Sequence, residues 1–207
     1  MTQWVTDAEG GRARGPRAIA RAWVEVMVRP RRFFRAAVNP GDQAPGLLFG
    51  MAVVLVEEAI RLALQPGGPP VYGGRPALSV VVVLGVAVLV VAPLALHLVA
   101  ALQTVVLVVF VRDRAGVSET VQVLAYAIAP CAFAGVPVPG VRIACALYGA
   151  ALLAIGMSEL HDTPLWKGVV VTLLPAVVVF GYGFRAFAAA ATLWPGVFGE
   201  FVPRRPG

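Results

Sequence analysis

The chain has 207 residues, of which 59% are hydrophobic, and its mean hydropathy is +0.82. Soluble domains contain about 45–50% apolar residues, so this composition excludes an ordinary soluble domain and predicts an integral membrane protein. The net charge of +6 comes largely from eight basic residues before position 36, and this uneven distribution favours contact with the membrane surface over nucleic-acid binding.

The N-terminal part of the chain, before residue 45, is predicted to lie outside the membrane core. Residues 1–15 are polar and aperiodic, which indicates a disordered tail. Within the basic segment 16–44, Pro16 favours the start of an amphipathic helix that runs to Arg29 and carries Trp23 on its apolar face. Such a helix either lies on the membrane surface or packs on the cytoplasmic ends of the bundle, and the pattern leaves both open.

A basic and aromatic segment, RPRRFFR, follows at residues 29–35. We expect its arginines to contact anionic headgroups and its two aromatic rings, together with Trp23, to lie in the acyl boundary. The headgroup candidates are Arg31, Arg32, Phe33, Phe34 and Arg35. The lipid bilayer is therefore the first partner that the sequence predicts.

The first predicted span, residues 45–64, carries Glu57, Glu58 and Arg61 within an apolar helix. Each such charge costs up to about 3 kcal/mol near the bilayer centre, more than the apolar residues of this span offset. The charges therefore need partners. The four-residue step pairs Arg61 with Glu57, so Glu58 is predicted to face another helix, with His97 as its nearest titratable candidate.

The intramembrane polar residues Glu57, Glu58, Arg61 and His97 form the one functional candidate in the sequence. Titratable groups at membrane depth suggest proton or ion handling, although a structural ion pair is the favoured interpretation. With only two histidines in the chain, a three-histidine metal site is excluded, and the loop residues 159–162 are interpreted as solvated rather than metal-binding. No catalytic or phosphate-binding motif occurs, so we predict neither enzymatic activity nor a cofactor.

The second predicted span, residues 77–111, is an unbroken apolar run of 35 residues that would measure about 52 Å as one helix. No turn signal divides it. We expect one long, tilted helix with a kink at Pro93, although an interfacial piece followed by a span is the alternative.

Residues 118–162 are predicted to form the packing core around which the chain is arranged. Two apolar spans, 119–136 and 140–158, are joined by the corner VPVPG at residues 136–140. Small residues recur at four-residue spacing on both arms, which lets membrane helices approach closely. These helix-packing residues are Ala127, Cys131 and Gly135 on the first arm and Ala146, Ala150 and Ala154 on the second. Whether Cys131 and Cys145 meet is left open.

A fifth span, residues 165–187, contains Pro175 and is followed by a short tail, 188–207. With a cytoplasmic N-terminus and five spans, eleven Lys and Arg residues fall inside and four outside, as the positive-inside rule requires. The predicted fold is thus an all-α integral membrane protein, a bundle of five transmembrane helices preceded by a basic amphipathic interfacial helix. We expect it in the plasma membrane with its C-terminus outside.

The pattern VLAYAIAP…GVP, followed by LYGAALLAIGMSELH, resembles the Yip1 family of polytopic membrane proteins, as does the preceding Pro-Arg-Phe-Phe segment. The similarity covers about residues 30–187 and is to the prokaryotic type. It implies five spans, an external C-terminus and a non-enzymatic role in membrane traffic or shaping. In eukaryotic members it also implies small-GTPase partners, but a basic tail of about 45 residues argues against that partner here.

The sequence thus predicts a non-enzymatic protein that organises or shapes the membrane or scaffolds other membrane components, by self-association or with other proteins. The alternative is a small proton- or ion-coupled transporter or channel that uses Glu57, Glu58 and His97. A flux measurement in vesicles separates these two functions.

Overall fold

The structure, a computed structural model, describes residues 15–65, 71–110 and 115–198. The predicted N-terminal disorder therefore falls, apart from Gly15, outside the described residues, as does the end of the C-terminal tail. All regular elements within the described ranges are helical, which confirms the all-α prediction.

The helices follow one another along the chain. The N-terminal segment forms α1 (Pro16–Val28) and α2 (Pro30–Ala37), and the apolar part forms α3 (Ala44–Leu64), α4 (Pro76–Phe110), α5 (Val117–Ala127), a 3-10 helix (Ala129–Gly135), α6 (Pro139–Leu160), α7 (Leu165–Gly183), α8 (Ala186–Leu193) and α9 (Pro195–Phe198).

Proline marks the first turn of several of these helices, including α1, α2, α4 and α6. Its fixed φ suits the first helical turn, where its missing N–H is not needed. The same residue inside a helix has the opposite effect. α4 is a single helix over Pro76–Phe110, and a π-helical stretch over Ala87–Val91 ends two residues before Pro93, which cannot donate a regular α-helical bond. The tilt and the kink at Pro93 stay predictions.

The interior proline of α7 creates a polar contact between two helices. Pro175 has no N–H to donate to the carbonyl of Val171, four residues earlier. The buried side chain of Gln103 in α4 donates to that carbonyl instead, with an Nε2–O distance of 3.0 Å. The carbonyl that proline leaves without a helical donor thus accepts a hydrogen bond that joins α7 to α4.

The stretch that was predicted to form the packing core is buried in the structure. Every residue from Thr120 to Ala132 is buried, and Tyr126 lies at the centre, with its ring 5.1 Å from that of Phe49 in α3. Five of the six small residues predicted to pack are buried, and the sixth, Ala150, packs against the core. The arms of the hairpin are close: Cys131 Sγ lies 3.8 Å from the carbonyl oxygen of Cys145, and both thiols are free.

The first arm of the hairpin is not the single straight span that we expected over 119–136. It is α5 followed by the 3-10 helix, with a bend of 46° between them. Pro130 lies at the start of the 3-10 segment and cannot continue the α-helical bonding. The pair forms either a broken span or a re-entrant loop.

Three described helices are long and apolar enough to cross a membrane, namely α4, α6 and α7, and the bent pair raises the number to four. The 21-residue helix α3 is not among them because it carries Glu57, Glu58 and Arg61. The five-span count therefore stays a prediction. For α3 to cross the membrane, these three charges must be compensated inside the bundle.

Candidate functional site

The charges of α3 form a cluster with an arginine from the far end of the chain. Glu57 and Glu58 are both buried. Arg185, in the turn between α7 and α8, donates to both: Nη2 lies 2.7 Å from Glu58 Oε1 and Nη1 lies 3.3 Å from Glu57 Oε1. Arg61 donates to the other oxygen of Glu58, with an Nε–Oε2 distance of 2.9 Å. Two carboxylates and two guanidinium groups are thus joined in one network.

This network differs from the predicted one in two respects. Arg61 pairs with Glu58 at a three-residue step, so the predicted Glu57–Arg61 pair is wrong. The partner of Glu58 on another helix is Arg185, so the prediction of His97 is also wrong. The Nδ1 of His97 lies 2.7 Å from the carbonyl oxygen of Pro93 within its own helix. Arg185 satisfies the carboxylates better than an imidazole because its planar guanidinium reaches both at once.

Arg185 adopts a left-handed backbone conformation, with φ 59° and ψ 28°. This conformation costs a non-glycine residue roughly 1–2 kcal/mol. Arg185 lies between the end of α7 and the start of α8, and its side chain points to α3. Arg185 keeps this strained backbone while it bonds two buried carboxylates. The contacts around it therefore stabilise the left-handed conformation.

The corner of the hairpin packs directly on the same turn of α3. A Cβ atom on Gly135 would lie 2.1 Å from the backbone oxygen of Glu57 and 2.9 Å from the backbone nitrogen of Arg61. Only glycine permits this approach. Arg142 in α6 donates to the carbonyl of Ala134 at 3.0 Å, so a third arginine lies at the same corner.

A cavity of about 510 Å³ opens beside the cluster, between α3, α4 and α7. Glu57, Glu58 and Arg185 line one part of it. The remaining wall is mostly apolar and comes largely from the small and branched residues of α4, including Val91, Ala92, Ala95, Leu96 and Val99. His97 and Arg61 do not line it.

The basic segment of α2 is held to the bundle by a second buried carboxylate. Glu159, near the end of α6, has a side chain only 6% exposed, and it pairs with Arg31 at 3.3 Å and with Arg35. Both arginines remain more than half exposed. Arg32 is also exposed. The three arginines are therefore exposed, and two of them also anchor α2, while their contact with headgroups stays a prediction.

The two phenylalanines of this segment lie inside the protein, so the prediction that they contact acyl chains is wrong. Phe33 and Phe34 are each 3% exposed, and the ring of Phe33 lies edge-on to Tyr126 at 4.8 Å. Trp23 likewise packs on the bundle: its Nε1 donates to the carbonyl of Ala129 at 2.9 Å. Of the two readings of α1, the structure supports packing against the bundle.

The connector after α6 is held by His161, whose Nδ1 accepts a hydrogen bond from the backbone N–H of Ala115 at 3.3 Å. Burial lowers the pKa of this imidazole below its usual value. Within the described ranges, no group of three His, Cys, Asp or Glu side chains has a geometry that would hold a metal ion.

The geometry is that of a helical membrane protein with its charges paired inside the bundle. No curated protein matches the chain, and no solved structure matches it. The family model of the Yip1 domain does match, over residues 24–187, which include both arginine–carboxylate clusters and every helix from α3 to α7. This match agrees with the similarity seen in the VLAYAIAP and LYGAALLAIGMSELH patterns, and the chain belongs to the Yip1 family.

Proposed function

We propose that this protein is a non-enzymatic member of the Yip1 family that organises membrane lipid or scaffolds other membrane components. We further propose that it crosses the plasma membrane five times, with a cytoplasmic N-terminus and an external C-terminus. The bilayer and its anionic headgroups are the partners that we infer first, followed by other membrane proteins or a second copy.

One observation carries the proposal: the buried carboxylates of α3 are joined to arginines. Arg185 bridges Glu57 and Glu58 across helices, and Arg61 holds Glu58 from the same helix. A coupling carboxylate in a transporter must gain and lose its partner during each cycle, whereas a paired and buried one stabilises a single packing arrangement. The pairing therefore supports a structural role for these charges.

The distribution of exposed surface supports lipid as the partner. The long helix α4 is the most apolar candidate span, and only 11% of an apolar 18-residue stretch of it is buried inside the protein. At the N-terminal side, the exposed guanidinium groups of Arg31, Arg32 and Arg35 suit phosphate groups. Lipid can thus contact both the exposed apolar surface of α4 and the exposed arginines of α2.

The second candidate function is a small proton- or ion-coupled transporter. The observation that favours it is the cavity beside Glu57 and Glu58, which brings two carboxylates into contact with a space large enough for a ligand. His97 does not line this space, so a transport site would consist of the carboxylates and Arg185.

Reconstitution into vesicles tests both functions. We expect the wild-type protein to dissipate an imposed pH gradient no faster than empty vesicles, and to change vesicle size or lipid order in proportion to the amount of protein. Glu25→Gln in α1 is the matched control for Glu58→Gln. Proton-coupled flux in the wild type and the control that is lost in folded Glu58→Gln would favour the transporter; vesicles of unchanged size and lipid order would contradict the organising role.

A further inference from the structure

The cavity beside the charge cluster combines two properties that a lipid needs. Its wall on α4 is apolar, and Glu57, Glu58 and Arg185 provide charged groups on another side. Val91 and Tyr182 both line the cavity and are 54% and 59% exposed, so the space is open between α4 and α7. Its volume of about 510 Å³ lies within the usual range for small-molecule sites.

Glu57 is the more weakly bonded of the two carboxylates toward Arg185. Its side chain is only 4% exposed, and its bond from Arg185 is a long one, 3.3 Å, against 2.7 Å for Glu58. Glu58, in contrast, accepts bonds on both oxygens. An ionised carboxylate has about four acceptor positions, so Glu57 has room for further donors from a ligand in the cavity.

Arg185 has unused capacity of the opposite kind. A guanidinium group has five N–H donors, and two nitrogens of Arg185 serve the carboxylates. Its side chain is 35% exposed. A phosphate oxygen is the acceptor that such a group binds best.

The charges of the cluster restrict which headgroup fits. Glu57, Glu58, Arg61 and Arg185 cancel one another, so a ligand with net charge would leave one charge uncompensated in a poorly solvated site. The nearby Arg142 is directed at a backbone carbonyl and does not line the cavity. A zwitterionic headgroup adds an ammonium for Glu57 and a phosphate for Arg185 and preserves the balance.

We infer that this cavity binds a phospholipid of the phosphatidylethanolamine class, with its ammonium on Glu57, its phosphate on Arg185 and an acyl chain along the apolar wall of α4. The ammonium must carry N–H groups, because the acceptor positions of Glu57 require donors. This inference rests on the proposed function and specifies which lipid the cavity recognises, apart from the anionic headgroups proposed for the arginines of α2.

Native mass spectrometry of the full-length protein in detergent, titrated with single lipids, tests the inference. We expect phosphatidylethanolamine to bind in preference to phosphatidylcholine, whose quaternary ammonium has no N–H donor, and to phosphatidylglycerol, which has no ammonium. Glu57→Gln should weaken phosphatidylethanolamine binding by about tenfold or more, the loss expected for one charge-assisted hydrogen bond.

A second pair of variants keeps the test independent of the charges. Ala95→Trp fills the cavity wall of α4, whereas Ala101→Trp places the same side chain at an exposed position of α4 outside the cavity. Only Ala95→Trp should reduce binding. Equal affinity for the three lipids, or full binding by folded Ala95→Trp, would overturn the inference. Either result would leave the organising function standing, which fails only on the flux and vesicle measurements.

Discussion

Replacing Arg185 by alanine is the most informative perturbation of the structure, because one side chain joins the turn after α7 to two buried carboxylates of α3. The side chains of Glu57 and Glu58 are 4% and 10% exposed. Removal of one partner from a fully buried pair costs about 3–5 kcal/mol, mainly because a charge is left uncompensated. Since Arg185 is itself 35% exposed and Glu58 keeps Arg61, we expect a loss of about 2–3 kcal/mol.

The backbone of Arg185 provides the matched control. Arg185→Gly removes the same charge but relieves the left-handed conformation, so it should be about 1 kcal/mol more stable than Arg185→Ala. Arg185→Lys keeps the charge but cannot donate to both carboxylates in a fork, and it should fall between Arg185→Ala and the wild type.

The assay is the free energy of unfolding in mixed detergent micelles, measured for all four proteins under the same conditions. The reasoning is refuted if Arg185→Ala is as stable as the wild type, since the ion pairs would then contribute nothing. An Arg185→Gly variant that is less stable than Arg185→Ala would refute the account of the backbone separately.

Three further substitutions or conditions test other contacts by the same measurement. Gly135→Ala should lower the free energy of unfolding by about 1–3 kcal/mol or more, since its Cβ would collide with the α3 backbone. The control Gly140→Ala has no atom within 4 Å of its Cβ and should be nearly neutral. Equal effects of the two substitutions would contradict the close approach of Gly135 to α3. Gln103→Leu should lower the free energy of unfolding by about 1 kcal/mol, because it removes the donor to the carbonyl of Val171. An unchanged stability would contradict a role for this hydrogen bond between α4 and α7. Because the pKa of His161 is lowered in the folded state, its contribution should be constant above about pH 6.5 and decline as the pH falls below it, and a pH-independent difference between the wild type and His161→Gln would count against this.

The helices were predictable from sequence because their signals are local. Long apolar runs bounded by proline and glycine gave the positions of α3, α4, α6 and α7 to within a few residues. The break between α5 and the 3-10 helix was missed, although Pro130 was a visible signal, because a proline inside an apolar run does not say whether the helix kinks or ends.

The charge cluster was predictable only in part. The three charges of α3 were identified, and so was their need for partners. Arg185 was missed because it lies 127 residues away in the chain from Glu58. The helical spacing favoured Glu57 for Arg61, yet Arg61 pairs with Glu58, and Arg185 bonds both carboxylates. A lone arginine at the end of an apolar span was the available signal for a partner in the bundle.

The burial of Phe33 and Phe34 shows a different limit. An aromatic residue beside arginines suits both a membrane interface and a protein interior, because acyl chains and packed side chains are similarly apolar. What decided the outcome was the position of Tyr126, against which Phe33 packs, and that position depends on the tertiary fold. The contact between Phe33 and Tyr126 therefore could not be inferred from the sequence alone.

The central claim is that the buried carboxylates and Arg185 stabilise the fold through one another. A double-mutant cycle with Glu58→Gln, Arg185→Ala and the double variant measures this most directly, as the coupling in the free energy of unfolding. The account predicts a coupling of at least about 1 kcal/mol, since each single variant leaves the other charge less compensated. Additivity of the two single variants to within about 0.5 kcal/mol would contradict it.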